Sequence, residues 1–203
     1  MTARPRWYCV ALATSLFLAL LVPPVKHVLE ASMTTQMLVQ IPLLVCAGLL
    51  LREALPARAL ALTASWDYRG LTGLVLASFA AAFWLLPRLL DAAVTEPMVA
   101  WAKYLTVPLL IGLPFAVSWP RMSFVVRGVF LLEFIATLFR MGWLYLIWPD
   151  RLCNNYLLDD QQRLGQYLVL IGVSFCILIG WKLLWGRFDT FPQARRVSLP
   201  PNG

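Results

Sequence analysis

From Met122 to Trp148 the chain is apolar and aromatic enough to cross a bilayer, yet it carries Glu133 near its middle and Arg140 two turns further on. At about 1.5 Å per residue, Glu133 lies roughly 16 Å from the Met122 end, close to the centre of a hydrocarbon core about 30 Å thick. A charge at that depth costs at least about 2.5–3.5 kcal/mol, so it should face protein or water and find a partner. The spacing of seven puts both groups on one helix face about 10.5 Å apart along the axis, which predicts that each takes partners from other helices. The rest of the chain is expected to be a bundle around this polar seam.

Composition agrees that the solvent is lipid. The 203 residues are 61% hydrophobic and 13% charged, and the mean hydropathy is +0.74. A soluble domain has about 45–50% apolar and about 25% charged residues. Six nearly uncharged runs are long enough to span: 7–25, 31–51, 70–87, 104–120, 122–148 and 164–181. The fold class is therefore all-α, a polytopic transmembrane helical bundle of about six spans over residues 1–187, with 188–203 as a flexible tail. No internal repeat is evident.

The net charge of +7 is distributed as topology. With a cytoplasmic N-terminus, the inner side collects Arg4, Arg6, Arg52, Arg58, Arg69, Arg121, Arg127, Lys182, Arg187, Arg195 and Arg196. The outer side takes Lys26, Arg88, Lys103, Arg151 and Arg163, and Arg140 stays in the membrane. That bias places both termini in the cytoplasm and speaks against a nucleic-acid partner. Arg4 and Arg6 precede the first apolar run as in a signal peptide, but the run passes into Val22-Pro23-Pro24 without a small-x-small site, which reads as a retained span. Cys9, Cys46 and Cys176 fall inside spans, Cys153 alone reaches the outer side, and no C-x-x-C pair exists.

Gln36 and Gln40 are i,i+4 neighbours near the start of the second span. Gln40 and Arg140 each lie about 12 Å below the outer surface, so Gln40 is the expected partner of Arg140. Ser78 and Ser174, near the depth of Glu133, are the expected donors to it. The segments Arg52–Arg69 and Arg88–Glu96 read as loops, and Pro108, Gly112 and Pro114 predict a kinked fourth span. Asp159 or Asp160 suits the positive end of the last helix's dipole.

No catalytic signature is present. A single histidine excludes multi-histidine metal sites, and G-x-S-x-G, Walker A and G-x-G-x-x-G are all missing. His27 with Met33, Met37 and Met98 would offer thioether and imidazole donors suited to cuprous copper; the alternative is an interfacial histidine among ordinary packing methionines. Glu133 is either a hydrogen-bonded structural group or part of a proton or ligand path.

Three pieces of sequence resemble one family. Gln36-Met37-Leu38-Val39-Gln40-Ile41-Pro42-Leu43-Leu44 followed by Gly48 is similar to the second-helix motif of the CtaG-type cytochrome c oxidase assembly factors, in which a His-Met-x-x-His core precedes Pro-Leu-Leu and a glycine. Phe83-Trp84-Leu85-Leu86-Pro87 resembles the family's Phe-Trp stretch, and Asp160-Gln161-Gln162-Arg163-Leu164-Gly165 its Asp-Gln-Gln-x-x-Gly start of a late helix. The pieces cover about a tenth of the chain, in the family's order. The resemblance implies a polytopic protein implicated in delivering copper to the oxidase. Both histidine positions are glutamine here, and Gln166-Tyr167 replaces the family's Met-Trp, which implies lost metal chemistry and a hydrogen-bonding role for Gln36 and Gln40.

The expected function is thus non-enzymatic: a multi-pass protein of the bacterial inner membrane that assists or associates with a respiratory copper-containing complex. A permanent accessory subunit with no metal role is the alternative. Its partners are the lipid bilayer and a membrane-protein complex, with no cofactor of its own unless copper. A small transporter using Glu133 and Arg140 is a third reading, against which the lack of repeated halves counts.

Overall fold

The computed structural model describes residues 6–148 and 156–185; Cys153 and the tail 188–203 lie outside the described residues. Among the described residues every regular element is helical. Helix α1 (Arg6–Leu21) stops at Val22, because Pro23 and Pro24 set the first turn of a new helix, α2 (Pro23–Glu30), bent away by 72°. Helix α3 (Met33–Ala54) follows, then α4 (Ala57–Trp66). The pattern recurs: α5 (Leu71–Trp84) gives way at Leu86-Pro87 to α6 (Pro87–Thr95), bent by 68°, and α7 (Pro97–Arg121) follows. A hairpin of α8 (Phe124–Ile147) and α9 (Leu158–Trp185) completes the chain.

Among the described residues, helices α3, α7 and α9 are long and apolar enough to cross a membrane, and the bent pairs α1–α2 and α5–α6 raise the number to five if each is one span. The stretches 52–69 and 88–96, expected as loops, contain α4 and α6. In both a proline at the start is followed by good helix formers, Ala and Leu, so a short helix forms without a long apolar run.

A similar element order recurs along the chain. Pro87 follows Pro23, Pro97 follows Met33 and Gly112 follows Gly48 by the same 64 positions. At that offset six buried positions coincide, Ala13 with Ala77, Leu20 with Trp84, Gln36 with Ala100, Gln40 with Tyr104, Leu44 with Pro108 and Gly48 with Gly112, whereas buried Glu30, Met33, Met37 and Lys103 fall on exposed positions. Residues 6–54 and 70–118 thus share one element order and form two units: a bent helix pair, then a long returning helix. Sequence hides the relation because most equivalent positions need only be apolar, and apolar residues interchange freely at this level.

The units meet through α3 and α7. A Cβ on Gly48 would stand 2.2 Å from the Pro108 carbonyl oxygen and 2.9 Å from the Gly112 Cα. One on Gly112 would stand 2.4 Å from the Val45 carbonyl oxygen and 2.7 Å from the Gly48 Cα. Only glycine permits that backbone approach, the usual device for packing helices where lipid offers no hydrophobic drive. The contact is reciprocal, as a pseudo-two-fold axis between the two glycines produces. Helices α3 and α7 run in the same direction, since Gln40 touches Tyr104 as Gly48 touches Gly112.

At the α4 end, Asp67 is buried and ties three segments together. It accepts from the Gly73 amide at 3.2 Å, the Ser118 hydroxyl at 2.8 Å and Arg121 at 3.4 Å. The turn that follows needs positive φ at Arg69 and Gly70. At Gly70 a Cβ would also meet the Ser118 carbonyl oxygen at 2.6 Å, so conformation and space both require glycine.

The α8–α9 hairpin is antiparallel, with Gly142 against Gly165, Phe139 against Gly172 and Phe134 against Phe175. At the α4 end Phe130 joins Phe115 and Trp119 of α7, and Arg127 donates to the Trp119 carbonyl at 2.9 Å. Its other end is fastened to α2 and α3 by the polar groups described next.

Candidate functional site

The returning helix α3 opens with Ser32 as its cap, whose hydroxyl oxygen accepts from the Thr34 amide at 3.2 Å. Asp160, in the first turn of α9, adds a carboxylate to the same helix start. It accepts from the Ser32 hydroxyl at 2.7 Å, the Thr34 hydroxyl at 3.0 Å and the Met33 amide. One acid thus serves two helix N-termini, its own and that of α3.

Gln36–Gln40 then forms a π-helical turn in which the Ile41 amide reaches back to the Gln36 carbonyl. The cause is Pro42, which has no N–H and whose ring would crowd the carbonyl four residues back; the wider turn relieves it. The same device stands in α7, where Val107–Gly112 is π-helical ahead of Pro114. The kink predicted from Pro108, Gly112 and Pro114 is this widening. In α3 it turns Gln36, Met37 and Gln40 all inward.

Around Gln40 the two units build a buried ionic cluster. Lys103 is fully buried and donates to Glu30 Oε1 at 2.8 Å and to Gln40 Oε1 at 2.9 Å. The Gln40 amide donates to Glu30 Oε1 at 3.2 Å and to the Tyr104 hydroxyl at 2.8 Å, and Tyr104 donates to the Leu20 carbonyl at 3.2 Å. Lys26 stands 3.9 Å from the second Glu30 oxygen. Beside this, the Tyr156 hydroxyl lies 2.9 Å from Gln36 Oε1 and 3.0 Å from the Glu30 carbonyl, and the Gln36 amide points to the Leu90 carbonyl at 3.4 Å. The cluster joins the two units, with Gln40 of α3 against Tyr104 of α7. Above it is an open groove lined by Leu21, Lys26, His27, Glu30 and Val94.

The four residues expected to share one polar seam are divided by the structure. Gln36 and Gln40 are wholly buried in the cluster just described, so Gln40 is not the partner of Arg140. Arg140 instead bonds Glu133 directly, with Thr137 between them accepting from the guanidinium at 3.1 Å. The rise of two turns was expected to forbid that contact. Two long side chains leaning toward each other along one face close the gap. Their side chains are 62% and 63% exposed, on the face of α8 turned away from α9. Ser174 donates to its own helix at Leu170, and Ser78 is exposed on α5, so neither serves Glu133.

The copper set is divided as well. Met33 and Met37 are buried in a core cluster with Leu90, Tyr145, Tyr156, Leu164 and Leu168, and the Tyr145 hydroxyl donates to the Met37 sulfur at 3.7 Å. His27 is exposed on α2 at the groove, and Met98 is exposed on α7. Thioethers packed in a core and an imidazole outside it do not fit a shared ion. Among the described residues no group of three His, Cys, Asp or Glu side chains is placed to hold a metal, and Cys9, Cys46 and Cys176 are free thiols.

Glu30, Lys103, Tyr104 and Tyr156 were not singled out from the sequence. Lys103 carried the signal, a lysine one turn inside an apolar run, but counting it as an outer positive charge assumed that it reaches back to water. Comparison of the chain with protein-family models, with curated proteins and with solved structures finds no match.

Proposed function

We propose that this chain is a non-enzymatic, multi-pass membrane protein that works bound to a larger membrane complex, contacting it through α8. The observation that carries the reading is the Glu133–Arg140 pair. Both groups are near the middle of a 24-residue helix, and both are exposed on it. Helix α8 lies along α9, whose length and apolarity suit a span, so α8 makes a sixth crossing beside it. Charged groups at such depth face protein or water rather than hydrocarbon, and among the described residues only Thr137 joins them.

The resemblance to CtaG-type factors is what points to a respiratory, copper-containing oxidase of a bacterial inner membrane as the complex. In that role the chain acts by contact, as an assembly partner, rather than by carrying copper. The purified protein should hold no stoichiometric copper; about one ion per chain, lost in His27→Ala, would restore a copper-handling role. Purification from native membranes in a mild detergent tests the main reading. A respiratory complex recovered in constant ratio supports it, and a single chain with no protein partner overturns it. Recovery from mature, active complex rather than from assembly intermediates identifies the chain as a permanent accessory subunit.

A further inference from the structure

Resting on that reading, we propose that the α8 stripe of Val125, Val129, Glu133, Ala136, Arg140 and Trp143 seats one transmembrane helix of a different protein, and that this helix meets the ion pair with an uncharged amide or hydroxyl side chain. The stripe runs at three-and-four spacing along most of α8, while Ile135, Gly142 and Tyr145 of the opposite face are buried. Ala136 lies between the two charges, and a small residue there lets a second backbone approach.

The chemistry of the pair selects the occupant. Glu133 and Arg140 neutralise each other, so a charged side chain added to them would leave a net charge in the membrane. An amide can donate to the carboxylate and accept from the guanidinium at once, and a hydroxyl can do the same. A second copy of this chain does not fit. Two copies inserted with the same orientation, around an axis along the membrane normal, would set Glu133 against Glu133 and Arg140 against Arg140 at equal depths.

The test uses the full chain in native membranes with a photo-reactive side chain at Val129 or at Trp143, and a control at Phe79, an exposed residue of α5. Both α8 positions should give one adduct with the protein that co-purifies. Peptide mapping should place that adduct on a membrane-spanning segment bearing Asn, Gln, Ser or Thr, and Phe79 should not give it. The double variant Glu133→Leu with Arg140→Leu should recover about 3- to 30-fold less partner at unchanged melting temperature, the range expected for losing one or two interhelical hydrogen bonds. The reversed pair, Glu133→Arg with Arg140→Glu, should keep the partner, because an amide or hydroxyl reads either order. An adduct with a second copy, or a partner that cross-links only from Phe79, overturns the docking surface and leaves the proposed function standing. Loss of the partner in the reversed pair overturns the uncharged contact. Absence of any co-purifying protein removes the proposed function itself, and the docking surface with it.

Discussion

Two of the carboxylate–cation pairs among the described residues are built in opposite ways. Glu30 and Lys103 come from different units, are shut away from solvent, and are surrounded by Gln40, Tyr104 and Lys26. Glu133 and Arg140 come from one helix, are mostly exposed, and among the described residues have only Thr137 with them. A buried pair repays its desolvation only when additional hydrogen bonds satisfy what the partner leaves open, and the first pair has them. The second pair is short of such neighbours on its open side. One pair is complete within the chain; in the proposed function, the other is completed by a partner.

That contrast can be broken most severely at Lys103. Lys103→Met should destabilise the protein by about 3–5 kcal/mol, because it leaves the buried Glu30 carboxylate with only the more distant, part-exposed Lys26. Glu30→Gln in the same background should recover most of the loss. Unfolding in mixed micelles by titrated denaturing detergent measures both; a single variant as stable as wild type would show that the cluster is not the joint between units. Next in size is Gly48→Val, whose new Cβ has the Pro108 carbonyl in its way and should cost about 1–3 kcal/mol or more. Asp160→Ala removes the acceptor shared by Ser32, Met33 and Thr34, a loss of about 1–2 kcal/mol expected for a helix cap, with hydrogen exchange rising first at the start of α3. Smallest in the isolated chain is Glu133→Gln, which should stay within about 0.5 kcal/mol of wild type. If that variant instead melts far below wild type, the two pairs are alike and the contrast fails.

Much of the architecture was legible. The apolar runs located the long helices, and Pro108, Gly112 and Pro114 marked an irregular α7. Gln36 and Gln40 stood out because amides inside an apolar run at i,i+4 must bond something. What they bond was not legible. Glu30 looked like a loop residue because the Pro23-Pro24 break shows where α1 ends but not that α2 folds over to bury its last side chain. Lys103 was misjudged because depth along a helix does not say which way a flexible side chain turns. Glu133 and Arg140 were judged by the rise between their backbones, which ignores the length of the side chains. The shared element order of the two units escaped notice because it is a property of the fold, not of the residue pattern.

The placement of the acid on one unit and the ammonium on the other has a consequence for how this chain finds its own shape. Two first units brought together would set Gln40 against Gln40 and leave Glu30 with no ammonium from across the axis. Two second units would set Tyr104 against Tyr104 and bury Lys103 without an anion. Units that share a common outline are otherwise open to pairing with the wrong copy, whether between neighbouring chains in a crowded membrane or during synthesis. The charges act as a left and a right glove: each unit accepts only the other kind, and the linker through α4 supplies that kind within the same chain.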